Sequence, residues 1–320
     1  MEPLLEVRDL TVAFALRRRH LVAVNGVSFT LNKGERLGIV GESGAGKSVT
    51  GFAIINLVSK PGRITGGSIR LEGIELTTLG EEEMRRIRGD RISMIFQDPM
   101  MTLNPVLTVG TQLTETLLAH KDVSAGEARE RALETLRRVH IPSPERRLRQ
   151  YPHEFSGGMR QRIVIAIALL TQPALIIADE PTTALDVTIQ AEIMDLLLHL
   201  CESERMGLIL ITHDLAVVSQ VTEKVAVMYA GRMMEIGSTE AIIRDPQHPY
   251  TRGLLAALPQ SGEGRRRLNQ IPGVMPGLAN IPPGCPFSDR CGQVREICRS
   301  EVPLPTVKKS GRLAACHLLE

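Results

Sequence analysis

One eight-residue segment constrains the fold of this 320-residue chain more than any other part of the sequence. Residues 41–48, Gly-Glu-Ser-Gly-Ala-Gly-Lys-Ser, match the pattern G-x-x-x-x-G-K-[ST]. An apolar run at 37–40 precedes the segment, and a helical stretch at 48–58 follows it, as expected for a loop between a buried parallel strand and a helix. Backbone N–H groups of such a loop and of the helix start can bind phosphate oxygens. The segment therefore predicts an α/β fold that binds a nucleotide.

Specific roles within this loop follow from the chemistry of its side chains. Lys47 can reach the β- and γ-phosphates, and the Ser48 hydroxyl can ligate Mg²⁺. A glycine-rich turn that arose by chance is the alternative, and the flanking strand and helix disfavour it. The predicted ATP-binding residues of the loop are Gly41, Ser43, Gly44, Gly46, Lys47 and Ser48.

Further candidates follow later strands of the alternating strand and helix pattern, which indicates a mostly parallel sheet. The apolar run 174–178 ends in Asp179 and Glu180, which are predicted to hold Mg²⁺ through water and to polarise an attacking water. His213 follows the strand-like run 208–212 and is predicted to sense the γ-phosphate. Gln97 follows the run 92–96 and could bond Mg²⁺ or the water. Helix capping by the two acids and a structural role for the histidine are the alternatives.

The composition changes after about residue 258, where Pro and Gly become frequent and the hydrophobic periodicity disappears. Four of the five cysteines lie in this part of the chain: Cys285, Cys291, Cys298 and Cys316. Thiolates are ligands for iron–sulfur clusters and for Zn²⁺, but the short Cys-x2-Cys pairs of common zinc sites are missing. An iron–sulfur cluster, a zinc site that could include His317, and unliganded thiols therefore stay open. Cys201 is predicted to be a packed core residue.

Charge and hydropathy argue against a polyanion-binding protein, a membrane-spanning protein and a secreted protein. Lys plus Arg total 38 and Asp plus Glu total 36, so the net charge of +2 argues against a polyanion-binding surface. The best apolar stretch, at 163–178, is too short and too interrupted to span a membrane. The N-terminus lacks the pattern of a signal peptide. We expect a cytosolic protein whose work at a membrane would come through partners.

Residues 155–161, Phe-Ser-Gly-Gly-Met-Arg-Gln, resemble the signature motif of the ATP-binding subunits of ABC transporters. Phe155 stands where Leu is usual and Met159 occupies the fifth place, while Ser156, Gly157 and Gly158 are kept. In that family the motif contacts the γ-phosphate of ATP bound to the opposite subunit. The resemblance implies that two cassettes sandwich two ATP molecules.

The remaining motifs follow in the order of that family over about residues 4–258. Gln97 resembles the Q-loop residue, Ala184-Leu185-Asp186 the D-loop, and His213 the H-switch. Phe14 resembles the aromatic residue that stacks on adenine, although His20 or Val22 could share that role. The resemblance implies an ABC cassette over residues 1–258, with a RecA-like core, an antiparallel β subdomain and a helical subdomain at about 100–170.

Three further segments, at 96–105, 151–156 and 248–259, are similar to the ATPases of dipeptide and oligopeptide importers, a group that also handles nickel. That likeness implies a C-terminal extension over residues 259–320 in which the four cysteines hold a [4Fe–4S] cluster, with Zn²⁺ as the alternative. It also implies a related second ATPase, two transmembrane permease subunits and, indirectly, an extracytoplasmic peptide-binding protein. The chain would then work at the cytoplasmic face of the inner membrane and power peptide import. The exact cargo is not readable from this chain.

Two other functions compete with this interpretation. A non-transport ABC ATPase acting on nucleic acid or ribosomes usually carries two cassettes or a coiled-coil arm, whereas this chain has one cassette and balanced charge. A regulatory cassette that does not hydrolyse ATP is disfavoured because Lys47, Asp179, Glu180 and His213 occur together. We therefore expect an active ATPase that does not bind nucleic acid.

Overall fold

The computed structural model describes residues 2–16, 19–183, 185–258, 270–307 and 311–319. Ala184 of the predicted D-loop and Pro259 of the last importer-like segment lie outside these residues. The strands are β1 (Leu5–Leu16), β2 (Arg19–Leu31), β3 (Arg36–Val40), β4 (Gly62–Leu71), β5 (Ile74–Glu75), β6 (Ile92–Ile95), β7 (Leu175–Asp179), β8 (Gly207–Thr212), β9 (Lys224–Tyr229), β10 (Arg232–Ser238), β11 (Thr306–Val307) and β12 (Leu313–Ala314).

Helices alternate with most of these strands, which confirms the predicted α/β class. They are α1 (Lys47–Ile54), α2 (Glu81–Ile87), α3 (Pro99–Thr102), α4 (Val109–His120), α5 (Ala125–Arg138), α6 (Pro144–Arg147), α7 (Gly157–Leu169), α8 (Val187–Glu204), α9 (Leu215–Val221), α10 (Thr239–Arg244), α11 (Pro249–Ala256) and α12 (Ile297–Ser300). In the described part of the chain, no helix has the length and apolar character that crossing a membrane requires.

The chain divides into two compact units, and the first contains residues 1–78 and 210–320. Strands β1, β2, β4 and β5 form an antiparallel sheet in the order β2-β1-β4-β5. Fully buried apolar side chains from β1 and β2, such as Leu5, Leu10 and Val27, form the core beneath this sheet. The β subdomain implied by the sequence is therefore present.

A second sheet in this unit positions the phosphate loop. Strand β3 pairs in parallel with β9, and β10 runs antiparallel to β9. Strand β12 pairs with β10, and β11 pairs with β12 at the edge. The C-terminal extension thus adds two short strands to this sheet, which the loss of periodicity after residue 258 did not predict. The predicted domain boundary at residue 258 stays a prediction.

The second unit contains residues 79–209 and is mainly helical. Its strands β6 and β7 pair in parallel, with Ile95 beside Ala178. Helix α5 starts with a capping box, in which Ser124 and Glu127 bond each other's backbone N–H groups. Its buried residues face α4 and α7, and its charges lie on the solvent side. Helix α7 packs against α4, α5 and α8.

Candidate nucleotide site and cysteine cavity

The predicted phosphate loop connects β3, which ends at Val40, with α1, which begins at Lys47. Two of its glycines are required by the backbone geometry. A Cβ on Gly41 would lie 2.3 Å from the carbonyl oxygen of Met228, and one on Gly46, where φ is +97°, would lie 2.6 Å from that of Ala23. Because both obstacles are backbone atoms, no side chain fits at either position.

Lys47 is buried and its ammonium is held by the loop itself. Its Nζ donates to the carbonyl oxygens of Gly41 at 2.9 Å and of Glu42 at 3.0 Å. The positive charge therefore lies beside the N-terminus of α1, where helix dipole and N–H groups favour an anion. Ser48, the predicted Mg²⁺ ligand, is half-buried on the first turn of that helix.

Glu42 lies in the same loop, and its contacts were missed by the sequence analysis. Its backbone N–H donates to Tyr250 Oη at 2.9 Å, and its carboxylate accepts two bonds from Arg290, at 2.6 and 3.0 Å. Tyr250 comes from α11 and Arg290 from the cysteine-containing segment. Contacts over such separations in sequence leave no local signal that could have revealed them.

His213 belongs to the same unit as the phosphate loop and directly follows β8. It is exposed, and the next residue, Asp214, caps α9 by accepting from the N–H groups of Ala216 and Val217. The histidine therefore has a rigid strand before it and a capped helix after it. Its role as γ-phosphate sensor stays a prediction.

The predicted carboxylates of the second unit lie at the end of β7. Asp179 is buried as the last residue of the strand, and Glu180 follows it with a left-handed φ of +46°. Glu180 Oε2 accepts from Gln97 Nε2 at 3.0 Å and from Thr183 Oγ1 at 2.8 Å. The structure thus brings Gln97 and Glu180 together and adds Thr183, which the sequence analysis had not singled out.

The signature-like segment forms the start of α7. Ser156 is the N-cap residue, and its Oγ accepts from the N–H of Met159 at 3.4 Å. Ser156 and Gly157 are exposed, and a Cβ on Gly158 would approach Ile189 Cγ2 to 2.8 Å. Asp186 is exposed at the N-cap position of α8. The helix start is therefore accessible to an anion, while the roles of these residues stay predictions.

Phe14 and its alternatives occupy different surroundings within the first unit. The Phe14 ring is half-buried and lies close to Gly62 and Val58. A Cβ on Gly62 would lie 2.7 Å from the Phe14 ring and 2.7 Å from the Val58 side chain. His20 and Val22 instead line a cavity of about 240 Å³, together with Arg232 and residues of the C-terminal extension. The choice between the three as adenine platform stays open.

The four C-terminal cysteines line one small cavity of about 10 Å³, which they share with His248, Phe287, Ser288 and His317. Burial raises the pKa of Cys285 to about 11 and also raises the pKa values of Cys291 and Cys316. Without a cation these thiols are neutral at physiological pH. A bound metal would favour their thiolate forms and release protons.

Two polar side-chain atoms of this cavity, one on His248 and one on Ser288, lack hydrogen-bond partners among the described residues. His248 is 1% exposed, and its Nδ1 accepts from the N–H of Tyr250 at 3.0 Å. Burial lowers the pKa of His248 to about 4, so the ring is neutral and Nε2 carries the hydrogen. Within the described parts of the chain, neither this Nε2 nor the buried Oγ of Ser288 has a hydrogen-bond partner. Unsatisfied buried donors are costly, so they favour an acceptor in the cavity.

These donors and thiols match the chemistry of a sulfur-ligated metal centre, whose anionic sulfur atoms accept hydrogen bonds. The arrangement of the possible ligand side chains in the described part of the chain, however, does not form a metal site. Among the described residues, no three His, Cys, Asp or Glu side chains are arranged to hold one metal ion.

Comparison with known proteins places both parts of the chain. Residues 24–183 match the family described as ABC transporter, and residues 234–298 match the oligopeptide/dipeptide transporter C-terminal region. The oligopeptide transport ATP-binding protein OppD of Salmonella typhimurium is 51% identical, over 98% of this chain and 93% of its own length. The dipeptide transport ATP-binding protein DppD of Bacillus subtilis is also 51% identical, over 99% of this chain and 95% of its own length.

Solved structures show the same fold. The ATP-binding cassette MJ0796, in a dimeric post-hydrolysis state bound to ADP and phosphate, matches with a TM-score of 0.66 and 30% identity. The match covers 73% of this chain and 98% of that protein. The protein cbiO1 of Clostridium perfringens, part of the ABC transporter complex cbiONQ, matches with the same TM-score at 25% identity, and the match covers 77% of this chain and 92% of that protein.

Proposed function

Because this chain belongs to the ABC transporter family, we propose that it is the ATP-hydrolysing subunit of an importer for short peptides. The observation that carries the proposal is the near-full-length likeness to peptide transport ATP-binding proteins, which includes the C-terminal region specific to peptide transporters. The resemblance and cassette fold expected from the sequence are confirmed. None of the relatives named above supports action on nucleic acid or ribosomes. In this proposal residues 1–258 form the cassette and 259–320 the extension.

Residues of the first unit bind the nucleotide in this proposal. The N–H groups of the loop bind the phosphates, with Lys47 on the β- and γ-phosphates and Ser48 as a Mg²⁺ ligand. His213 senses the γ-phosphate, and Phe14 stacks on adenine. The loop residues involved are Gly41, Ser43, Gly44 and Gly46.

Residues of the second unit carry out hydrolysis in this proposal. Asp179 holds Mg²⁺ through water, and the Glu180 carboxylate accepts a hydrogen bond from the water that attacks the γ-phosphorus. The bonds from Gln97 and Thr183 orient that carboxylate. Ser156, Gly157, Gly158 and Asp186 act on the ATP bound to a second cassette.

The partners follow from the transport function. We propose a related second ATPase as the dimer partner, two permease subunits in the membrane, and a peptide-binding protein on the outer side. The chain then lies at the cytoplasmic face of the membrane. Binding of ATP closes the two cassettes on each other, and this closure moves the permeases. Hydrolysis of the ATP then reopens the cassettes.

The four cysteines hold a [4Fe–4S] cluster in this proposal, with Zn²⁺ as the alternative metal. Such a centre would cross-link a segment that is poor in regular structure. The shared cavity supports it, and so do two donors without a partner in the part of the chain that the structure describes, His248 Nε2 and Ser288 Oγ. Anaerobically purified protein should be brown and contain iron and sulfide. Colourless protein with stoichiometric zinc would support the alternative, and protein without metal would contradict both.

Reconstitution tests the transport function. The chain, its ATPase partner and the two permeases are placed in lipid vesicles, and accumulation of a labelled dipeptide is followed with and without ATP. We expect ATP-dependent uptake that is lost in a complex carrying Lys47→Ala. Uptake of Ni²⁺ without uptake of peptide would refute the peptide assignment while leaving the ATPase assignment intact.

A further inference from the structure

Glu42 places a negative charge inside a loop that binds anions. The phosphate-loop pattern leaves this position unspecified, so nothing in the motif requires an acid here. The carboxylate is a third exposed, yet both of its oxygens accept from one guanidinium, Oε2 from Arg290 Nη1 at 2.6 Å and Oε1 from Nη2 at 3.0 Å. The charge that would repel a phosphate is thus neutralised by a residue 248 positions away in sequence.

Arg290 is itself held rigidly. Its side chain is 5% exposed, its Nε donates to the carbonyl oxygen of Pro272 at 2.8 Å, and its Nη2 donates to that of Ile271 at 3.2 Å. The guanidinium also lies over the Tyr229 ring, 5.8 Å from its centroid. The hydrogen bonds that Arg290 donates to the Glu42 carboxylate raise the pKa of Arg290 above its usual range, so the guanidinium is always charged. A fixed, bidentate cation holds a flexible glutamate in one position.

The same glutamate connects this ion pair to the phosphate-binding lysine. Its backbone carbonyl accepts from Lys47 Nζ, and its backbone N–H donates to Tyr250 Oη. If Arg290 were absent, the Glu42 carboxylate would be free to attract the Lys47 ammonium and to repel phosphate oxygens. Both effects oppose nucleotide binding, and both act at short range in a partly buried site.

We propose that Arg290 is a positioning residue of the phosphate loop: by neutralising and holding Glu42, it keeps Lys47 available for the nucleotide. This inference rests on the proposed ATP-binding function. Arg290 lies between Ser288 and Cys291, which line the cysteine cavity. The cysteine segment thereby supplies a charge on which the nucleotide affinity of the cassette depends.

A charge-rescue experiment on the full chain tests the proposal. The Kd of a fluorescent ATP analogue with Mg²⁺ is measured for Arg290→Met, Glu42→Gln and the double variant. We expect Arg290→Met to raise Kd about tenfold, because it leaves the Glu42 charge uncompensated. The double variant should return to within about threefold of the wild type, since the offending charge is also removed. The matched control is Arg299→Met, an exposed arginine of the same segment.

The outcomes separate the proposal from a structural role and from failure of the proposed function. If Arg290 acted only by stabilising the fold, Glu42→Gln would not rescue Arg290→Met, and that result would overturn the inference, as would an unchanged Kd. Steady-state kinetics should show a raised KM for ATP with kcat within about twofold. Should Arg290→Met fold poorly, Arg290→Gln serves in the same comparison. A wild-type chain that binds no nucleotide would instead refute the proposed function.

Discussion

The contacts of Glu180 lead to a sharp prediction for Glu180→Gln. Oε2 accepts two bonds, from Gln97 Nε2 and Thr183 Oγ1. Glutamine has nearly the same size, and its amide oxygen can accept both bonds. Changing a charged acceptor for a neutral one weakens each by about 1 kcal/mol, which leaves the side chain in place. The substitution thus removes the base and little else.

The expected loss is therefore confined to turnover. A positioned general base contributes about 10²–10⁴-fold, so we expect kcat to fall about 10³-fold, equivalent to about 4 kcal/mol. The Kd for ATP should stay within about threefold of the wild type, because the predicted phosphate-binding residues are unchanged. Phosphate release and binding of a fluorescent ATP analogue measure the two quantities on the same preparation.

Two controls sharpen the comparison. Thr183→Val removes one orienting bond and should lower kcat about fivefold, in line with a bond of about 1 kcal/mol. Glu130→Gln, on the exposed side of α5, should change neither quantity. Retention of full turnover by Glu180→Gln would refute its role as base. An equal loss of ATP binding would show that the residue serves structure or substrate binding instead.

Three further predictions concern the loop, the metal and the β subdomain. Gly41→Ala should abolish nucleotide binding in equilibrium dialysis, because its Cβ would lie 2.3 Å from a backbone oxygen; normal binding would contradict the strain argument. Chelation of the metal should make the cysteine thiolates take up protons and should lower the midpoint of thermal unfolding, whereas no change in the midpoint would refute a stabilising centre. Hydrogen bonds, chiefly from Ser68 and Thr77, outweigh burial and lower the pKa of Glu75 to about 2. Glu75→Gln should therefore cost about 1 kcal/mol of unfolding free energy at pH 7, a difference that shrinks as pH falls from about 4.5 to 2; a difference independent of pH would exclude this linkage.

The sequence was sufficient to predict those parts of the candidate site whose residues are neighbours in the chain or follow neighbouring strands. The phosphate loop was predictable because its glycines, Lys47 and Ser48 are consecutive and lie between a recognisable strand and helix. The proximity of Gln97 to Glu180 could also have been predicted from the sequence. Both residues follow parallel strands, and the carboxyl ends of neighbouring parallel strands share one edge of a sheet.

Other features depended on contacts that no local pattern encodes. Residues 306–307 and 313–314 are too short to show strand periodicity, and they become strands only because β10 offers an unpaired edge. The sequence grouped the four cysteines, whereas only the structure showed that His248 Nε2 and Ser288 Oγ lie at their cavity with no hydrogen-bond partner among the described residues.

The sequence by itself determined the cassette fold, the phosphate loop and the residues proposed for hydrolysis, because each depends on the spacing of a few neighbouring side chains. The tertiary structure alone decided which cation neutralises Glu42. Folding brings Arg290 across 248 positions to a glutamate in the phosphate loop, and an ion pair depends on distance in space rather than on distance along the chain.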